Sequence, residues 1–217
     1  MQHHRGDGMW NVVVPLKELN SAKSRLRRGG LDARTYARAF ALDTVAAIRG
    51  CASVGEIVVV TDDREIRRAL RRFGCHFCAQ GPLPGLNTAI RVGRDHLRRL
   101  FGADPCAALV GDLPALRSAE LDDALRIAVD TGGQAFVTDT SGTGTTLLAA
   151  ADPVLLNPSF GWGSAGLHEK AGAVRLAGEY PTLSLDVDTP AGLESAAAYG
   201  LGVHTSRLRQ RTPATPR

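Results

Sequence analysis

The stretch A-A-L-V-G-D-L-P-A at residues 107–115 is a short apolar run that ends abruptly at Asp112 and Pro114. Open α/β sheets bind ligands just outside the carboxyl ends of their strands, so an acid in that position is placed for chemistry. Asp112 has the right donor for a divalent cation: Mg²⁺ takes one or two carboxylates and completes its shell with water and substrate phosphates. The same residue type also steadies the turn before a proline, and this simpler role stands beside the first. A second acidic segment, L-S-L-D-V-D-T-P, carries Asp186 and Asp188. Along an extended backbone their period-two spacing turns both carboxylates to one side. A D-x-D pair alone also supports turns; together with Asp112 it offers acids able to close around one ion.

Cations and glycines complement those acids. Lys17, Lys23 and Arg25 lie in the loop after the first expected strand. There they can neutralise a polyphosphate, the arginine by bidentate contacts, or they can simply be solvated. Two glycine loops, S-G-T-G-T-T at 141–146 and F-G-W-G-S at 160–164, would let backbone amides approach an anion while hydroxyls add donors. Tight turns would use the same residues. Cys75-His76-Phe77-Cys78 has C-x-x-C spacing without the second ligand pair of a zinc site, and it reads as a strand. His168 reads as a helix residue rather than a base. Neither Ser-His-Asp spacing nor a G-x-x-x-x-G-K-[ST] loop occurs, which excludes triad-hydrolase and P-loop chemistry.

Positioning these residues requires an alternating α/β chain. The 217 residues suffice for a substantial core, the apolar content of 44% is ordinary, and the net charge of +4 is mild. That charge suits an anionic small ligand as readily as nucleic acid. Strands are expected at residues 11–16, at E-I-V-V-V-T, at C-H-F-C-A, at 107–110 and at Q-A-F-V-T. Helices are expected from an Asp32 cap to Gly50, from Asp62 or Asp63 through Phe73, from an Asn87 cap to Phe101, and from about Ser118 to Asp130. Residues 17–26 read as loop, A-V-R-L-A as an edge strand, and L-S-L-D-V-D as a closing strand. Thr189 as cap and Pro190 at the first helical position start a helix over Ala191–Tyr199. The alternation predicts a three-layer α/β fold with a mostly parallel sheet. Residues 1–9 are expected to be disordered, 10–204 to form a single domain, and 205–217 to be a basic, mobile tail. Four cysteines in or beside apolar segments, without a secretory signal or a bilayer-length apolar run, lead to the expectation of a reducing cytoplasm and no membrane.

The motifs V-P-L-K-E-L-N-S-A-K-S-R-L, G-L-N-T-A, G-D-L-P-A-L, G-T-G-T, F-G-W-G-S and L-D-V-D-T-P-A-G-L occur in that order over residues 11–200. Together they resemble the 2-phospho-L-lactate or phosphoenolpyruvate guanylyltransferases of coenzyme F420 biosynthesis. The resemblance implies a Rossmann-like nucleotidyltransferase fold of the molybdenum-cofactor guanylyltransferase type, acting with Mg²⁺. It implies that GTP is joined to a phosphorylated three-carbon acid with release of pyrophosphate, the product passing to a downstream F420-assembly transferase. Carried over by motif, Asp112 and Asp186 would be metal ligands, acting in catalysis with Lys23, and Asp188 a supporting acid at the metal. Thr145, Gly161 and Ser164 would hold the acid's carboxylate end. Lys17, Lys23 and Arg25 would bind nucleotide phosphates, and Gly85 to Asn87 the guanosine side.

A phosphate monoester is already an anionic nucleophile, so such a reaction rests on positioning and charge stabilisation without a general base. The G-T-G-T form and the Arg/Ala-rich composition are similar to actinobacterial members, for which phosphoenolpyruvate is the expected acceptor, with 2-phospho-L-lactate the alternative. Two other classes compete. A metal-dependent glycosyltransferase shares the D-x-D device. A nucleic-acid binder is suggested by the arginine-rich helix and basic tail, but the chain has no reader motif or aromatic stacking platform.

Overall fold

The runs V-V-V at 12–14 and I-V-V-V at 57–60 are β-branched and buried on both faces, the pattern of strands covered by helices on either side. The computed structural model describes residues 9–19, 23–28 and 31–211. Its strands are β1 (Trp10–Pro15), β2 (Val54–Val60), β3 (His76–Cys78), β4 (Cys106–Leu109), β5 (Gln134–Thr138), β6 (Thr145–Ala150) and β7 (Val174–Arg175). They form one sheet in the order β3-β2-β1-β4-β6-β5-β7. All pairings are parallel except those of β6, which runs antiparallel to both β4 and β5. The helices are α1 (Ser24–Arg28), α2 (Ala33–Arg49), α3 (Arg64–Leu70), α4 (Leu86–Phe101), α5 (Ser118–Val129), α6 (Ser164–Lys170), α7 (Pro190–Tyr199) and α8 (Val203–Arg211).

Period-two alternation divides the core. Val12, Val14, Ile57 and Val59 pack with Leu42 and Val45 of α2 and with Leu121 and Leu125 of α5. Val13, Val58 and Val60 point the other way, to Ile90 and Leu97 of α4 and to Phe136 and Leu148. The three-layer, mostly parallel arrangement is therefore as the alternation requires. Gly93 lets α4 lie directly on β1 and β2, since a Cβ there would collide with the side chains of Val13 and Val60. A third cluster joins Leu26 of α1, Phe40 of α2 and Leu193 of α7 around Leu185 and Val187.

Four expectations are corrected. Residues 24–26, the end of the stretch read as loop, belong to the short α1. Asn87 does not cap α4; Gly85 holds the cap position without a side-chain bond. L-S-L-D-V-D is not a strand: the Thr182 and Leu183 amides donate to the Glu120 carboxylate at 2.8 and 3.0 Å, which diverts the backbone from a ladder. Residues 205–211 belong to α8 rather than to a mobile tail, while 1–8 and 212–217 lie outside the described residues. The start of α8 is held by buried Asp43 of α2, whose carboxylate accepts from the amides of His204 (2.9 Å) and Thr205 (2.8 Å). A cap delivered from so far upstream leaves no mark near the helix it stabilises. Asp43→Ala should therefore lower stability by about 2–3 kcal/mol, two bonds to a carboxylate being lost, and speed proteolysis within 203–211. Urea denaturation and limited proteolysis read both effects.

Candidate active site

The parallel strands β1 and β4 finish at the same end of the sheet, and antiparallel β6 begins there. A cavity of about 500 Å³ opens at that end, lined by Leu16 and Lys17 after β1, Gly111 and Asp112 after β4, and Thr145 at the start of β6. Lys23, Arg25, Asp139, Gly161, Ser164, Asp186 and Asp188 complete the parts of its wall that carry chemistry. The loop bearing Asp112 is held on both sides: the Leu113 amide donates to the buried Thr44 hydroxyl at 3.0 Å, and the Val110 amide to the Thr146 carbonyl at 3.0 Å. The Val187 amide donates to the carbonyl of Asp112 itself at 3.0 Å. That bond, with Val187 buried beneath α7, brings the D-V-D carboxylates to Asp112 although no strand carries them.

Lys23 stands among these acids. Its ammonium donates to Asp112 and, at 2.6 Å, to Asp188, with its side chain only 9% exposed. Burial alone would lower its pKa, but Asp112 and Asp188 together outweigh that and hold it above the ordinary lysine value. Asp188 is pushed up by burial and pulled below its usual range by Lys23, with help from Arg25 and Lys17. The Arg25 guanidinium lies 3.9 Å from the Asp188 carboxylate. Asp186 has the opposite balance. Burial first, then the like charges of Asp112 and Asp188, push its carboxyl up to about 6. Asp112 Oδ1 is buried and, among the described residues, has no hydrogen-bond partner. No group of three or more His, Cys, Asp or Glu stands already assembled as a metal cage among the described residues. An unpaired buried carboxylate oxygen beside a carboxyl destabilised by like charges nonetheless fits a cation at this point.

Thr145, Gly161 and Ser164 bring hydroxyls and backbone to the cavity without a cation, beside the carboxylate of Asp139. Asp139, which the motif reading did not single out, accepts from the amides of Thr143 (3.2 Å) and Gly144 (3.0 Å) and from the Ser141 hydroxyl (2.8 Å), shaping the β5–β6 turn. Its only signal in the sequence is an acid at a strand end before a glycine loop. Thr145, not Thr146, lines the cavity. Its hydroxyl meets the Ser164 hydroxyl at 3.1 Å and His168 Nδ1 at 3.0 Å, and the amide of Ser159 donates to His168 Nε2 at 2.9 Å. Gly161 and Gly163 have φ of 131° and 69°, a turn open to glycine and strained for other residues. Trp162 between them is 99% exposed.

Two nucleotide-side expectations fall differently. Neither Gly85 nor Asn87 lines the cavity, whereas Leu86 between them does. The Asn87 side chain accepts from the Phe160 amide at 2.7 Å and donates to the Phe160 carbonyl at 3.0 Å, so its polar atoms fasten the second glycine loop.

Two outcomes follow from these bonds. Asn87→Ala should cost about 1–3 kcal/mol, leaving buried polar groups of Phe160 unpaired, and should accelerate amide exchange in 160–164. His168 is buried against Phe136 and Phe160, and burial pushes its pKa down to about 4 from 6.5. As pH falls below 6.5 the unfolded chain takes up a proton that the folded ring refuses until about pH 4. Stability should therefore decline across that window by up to about 1.4 kcal/mol per pH unit. Replacing His168 by Gln should remove this part of the slope in urea unfolding at pH 7 and pH 5.

Known proteins are similar to this chain in sequence and in fold. The model of the MobA-like NTP transferase domain matches residues 33–190. A phosphoenolpyruvate guanylyltransferase of Salinispora arenicola is 44% identical over 205 residues, covering 92% of this chain and 93% of its own. One of Geodermatophilus obscurus is 45% identical over 206 residues, again covering 92% and 93%. The solved structure of a 4-diphosphocytidyl-2C-methyl-D-erythritol synthase shares the fold with a TM-score of 0.62 at 12% identity, covering 89% of this chain and 99% of that one. A cavity at the carboxyl end of a mostly parallel sheet, ringed by acids and cations, is thus found on a nucleotidyltransferase, and the chain belongs to the MobA-like NTP transferase family, with phosphoenolpyruvate guanylyltransferases among its relatives.

Proposed function

We propose that the chain transfers the guanylyl group of GTP to phosphoenolpyruvate, releasing pyrophosphate. A phosphate oxygen of the acid forms the new bond to the α-phosphorus, and the bond from that phosphorus to the β-phosphate bridging oxygen breaks. The observation that carries this reading is the meeting of Asp112, Asp186, Asp188 and Lys23 with Thr145, Gly161 and Ser164 in one cavity. The names of the relatives at 44% and 45% identity support the acceptor.

Asp112 and Asp186 would hold Mg²⁺, with Asp188 as the supporting acid. A bound Mg²⁺ would neutralise phosphate charge and act as a Lewis acid at the phosphoryl oxygens. Lys23 exchanges its carboxylate partners for phosphate oxygens as the nucleotide enters, and Lys17 and Arg25 offset charge on the departing pyrophosphate. Leu86 borders the guanosine side, and Asn87 acts there through the Phe160 loop. Thr145, Ser164 and the Gly161 backbone hold the carboxylate of the acid. The four unpaired cysteines support a reducing cytoplasmic setting, where the diphospho-acid product would pass to a downstream F420-assembly transferase.

A pyrophosphate-release assay with GTP and each acid, the product masses being measured, tests the reaction. Turnover with phosphoenolpyruvate is expected, and a clear preference for 2-phospho-L-lactate would overturn the acceptor. Asp112→Ala should reduce the rate at least about a hundredfold, since the lost contact stabilises charge in the transition state. Near-normal release by that variant refutes the metal assignment.

A further inference from the structure

We infer that His168 is a positioning residue, one that makes the Thr145 hydroxyl an obligatory hydrogen-bond donor toward the cavity and so selects a ligand that accepts there. The inference rests on the proposed reaction for the identity of that ligand, but its geometry stands without it. The amide of Ser159 can only donate, so His168 Nε2, 2.9 Å away, must accept. A neutral imidazole that accepts at Nε2 carries its proton on Nδ1. Burial between Phe136 and Phe160 favours the neutral ring. Nδ1–H therefore donates to Thr145 Oγ1 at 3.0 Å. The Ser164 hydroxyl donates to the same oxygen at 3.1 Å. Both lone pairs of Thr145 Oγ1 are then engaged, and its single proton has to be given elsewhere. Thr145 lines the cavity, and that is where an acceptor for its proton would arrive.

A hydroxyl on its own rotates and serves equally as donor or acceptor. Here the alternative is removed by a chain that begins at a backbone amide and ends at the ligand. The position thereby favours a carboxylate oxygen over an amide N–H or a hydroxyl proton, without placing a positive charge beside it. His168 itself is 1% exposed and acts only through Thr145.

Two substitutions separate this role from packing. The Gln amide in His168→Gln reaches the place of Nε2 and keeps the Ser159 contact while losing the one to Thr145. In His168→Asn the amide sits at the place of Nδ1 and keeps the Thr145 contact while losing the other. His168→Gln should raise KM for phosphoenolpyruvate about tenfold with KM for GTP changed less than about twofold, the loss expected for one hydrogen bond to a charged group. His168→Asn should recover most of it. Equal changes in both KM values, or an acid KM unaffected by His168→Gln while Thr145→Val raises it, would overturn the inference and leave the reaction standing. Absence of pyrophosphate release by the unaltered chain would overturn the reaction instead. The tautomer decides the inference in either case: ¹⁵N chemical shifts of the unaltered protein should report a neutral His168 protonated at Nδ1 at pH 7. A ring protonated at Nε2, or charged, refutes it even where a variant fails to fold.

Discussion

Three carboxylates brought to one end of a sheet repel one another, and the surrounding structure depends on how that repulsion is met. Asp112 and the Asp186–Asp188 segment are distant in sequence, and a single backbone bond, Val187 N–H to the Asp112 carbonyl, holds them together. Leu185 and Val187 bury themselves among α1, α2 and α7, so hydrophobic packing supplies the force that keeps like charges close. Lys23 answers part of the repulsion by sharing its ammonium between Asp112 and Asp188. A buried pair of this kind holds geometry more surely than it adds stability, because desolvation offsets much of the Coulomb attraction. Asp186 and Asp112 Oδ1 are not compensated in this way, and they mark the place where further positive charge is favourable.

The second constraint is direction. In a purely parallel sheet only the ends of strands reach the ligand side. The β5–β6 hairpin reverses the chain, so the start of β6 arrives there too and delivers Thr145 to the cavity that the acids line. Asp139 shapes the hairpin turn through two amides and a hydroxyl, and its charge adds to those that raise the Asp186 pKa. On the far side, α4 clamps the loop before Gly161: Arg91 and Arg94 donate to the carbonyls of Pro158 and Leu156, and Asn87 to that of Phe160. The glycine turn is thus entered from a loop held at three carbonyls.

Much of this was legible because its causes are local. The valine runs, the Asp32 and Asp63 caps and the Thr189-Pro190 start each carry their physics within a few residues. Asp112 and Asp186 could be paired from motif order alone. What escaped depends on partners remote in sequence. Glu120 takes the amides of Thr182 and Leu183 where a strand over 183–188 would begin, Asp43 caps a helix that reads as a basic tail, and Phe160 claims the side chain of Asn87. His168 looked like an ordinary helix residue, and by position it is one. Its significance lies in Ser159 and Thr145, which its neighbours in sequence do not reveal.

The cations of the cavity are not spread evenly over its lining, and on the proposed reading that difference orients the acceptor. A phosphorylated three-carbon acid has a phosphate at one end and a carboxylate at the other, both anionic. With cations on both walls either end could bind either place. Instead Lys17, Lys23 and Arg25 lie with Asp112 and Asp188, while Thr145 and Ser164 bring hydroxyls without a cation, beside Asp139 and with uncharged His168 buried behind Thr145. The phosphate carries more charge than the carboxylate, so Coulomb attraction draws it to the cationic side, and it gains more there than the carboxylate would. The carboxylate is left to the neutral donors, which bind it by direction rather than by charge. A nucleophilic phosphate oxygen is then directed at the nucleotide, and the inverted complex is disfavoured without any residue having to exclude it.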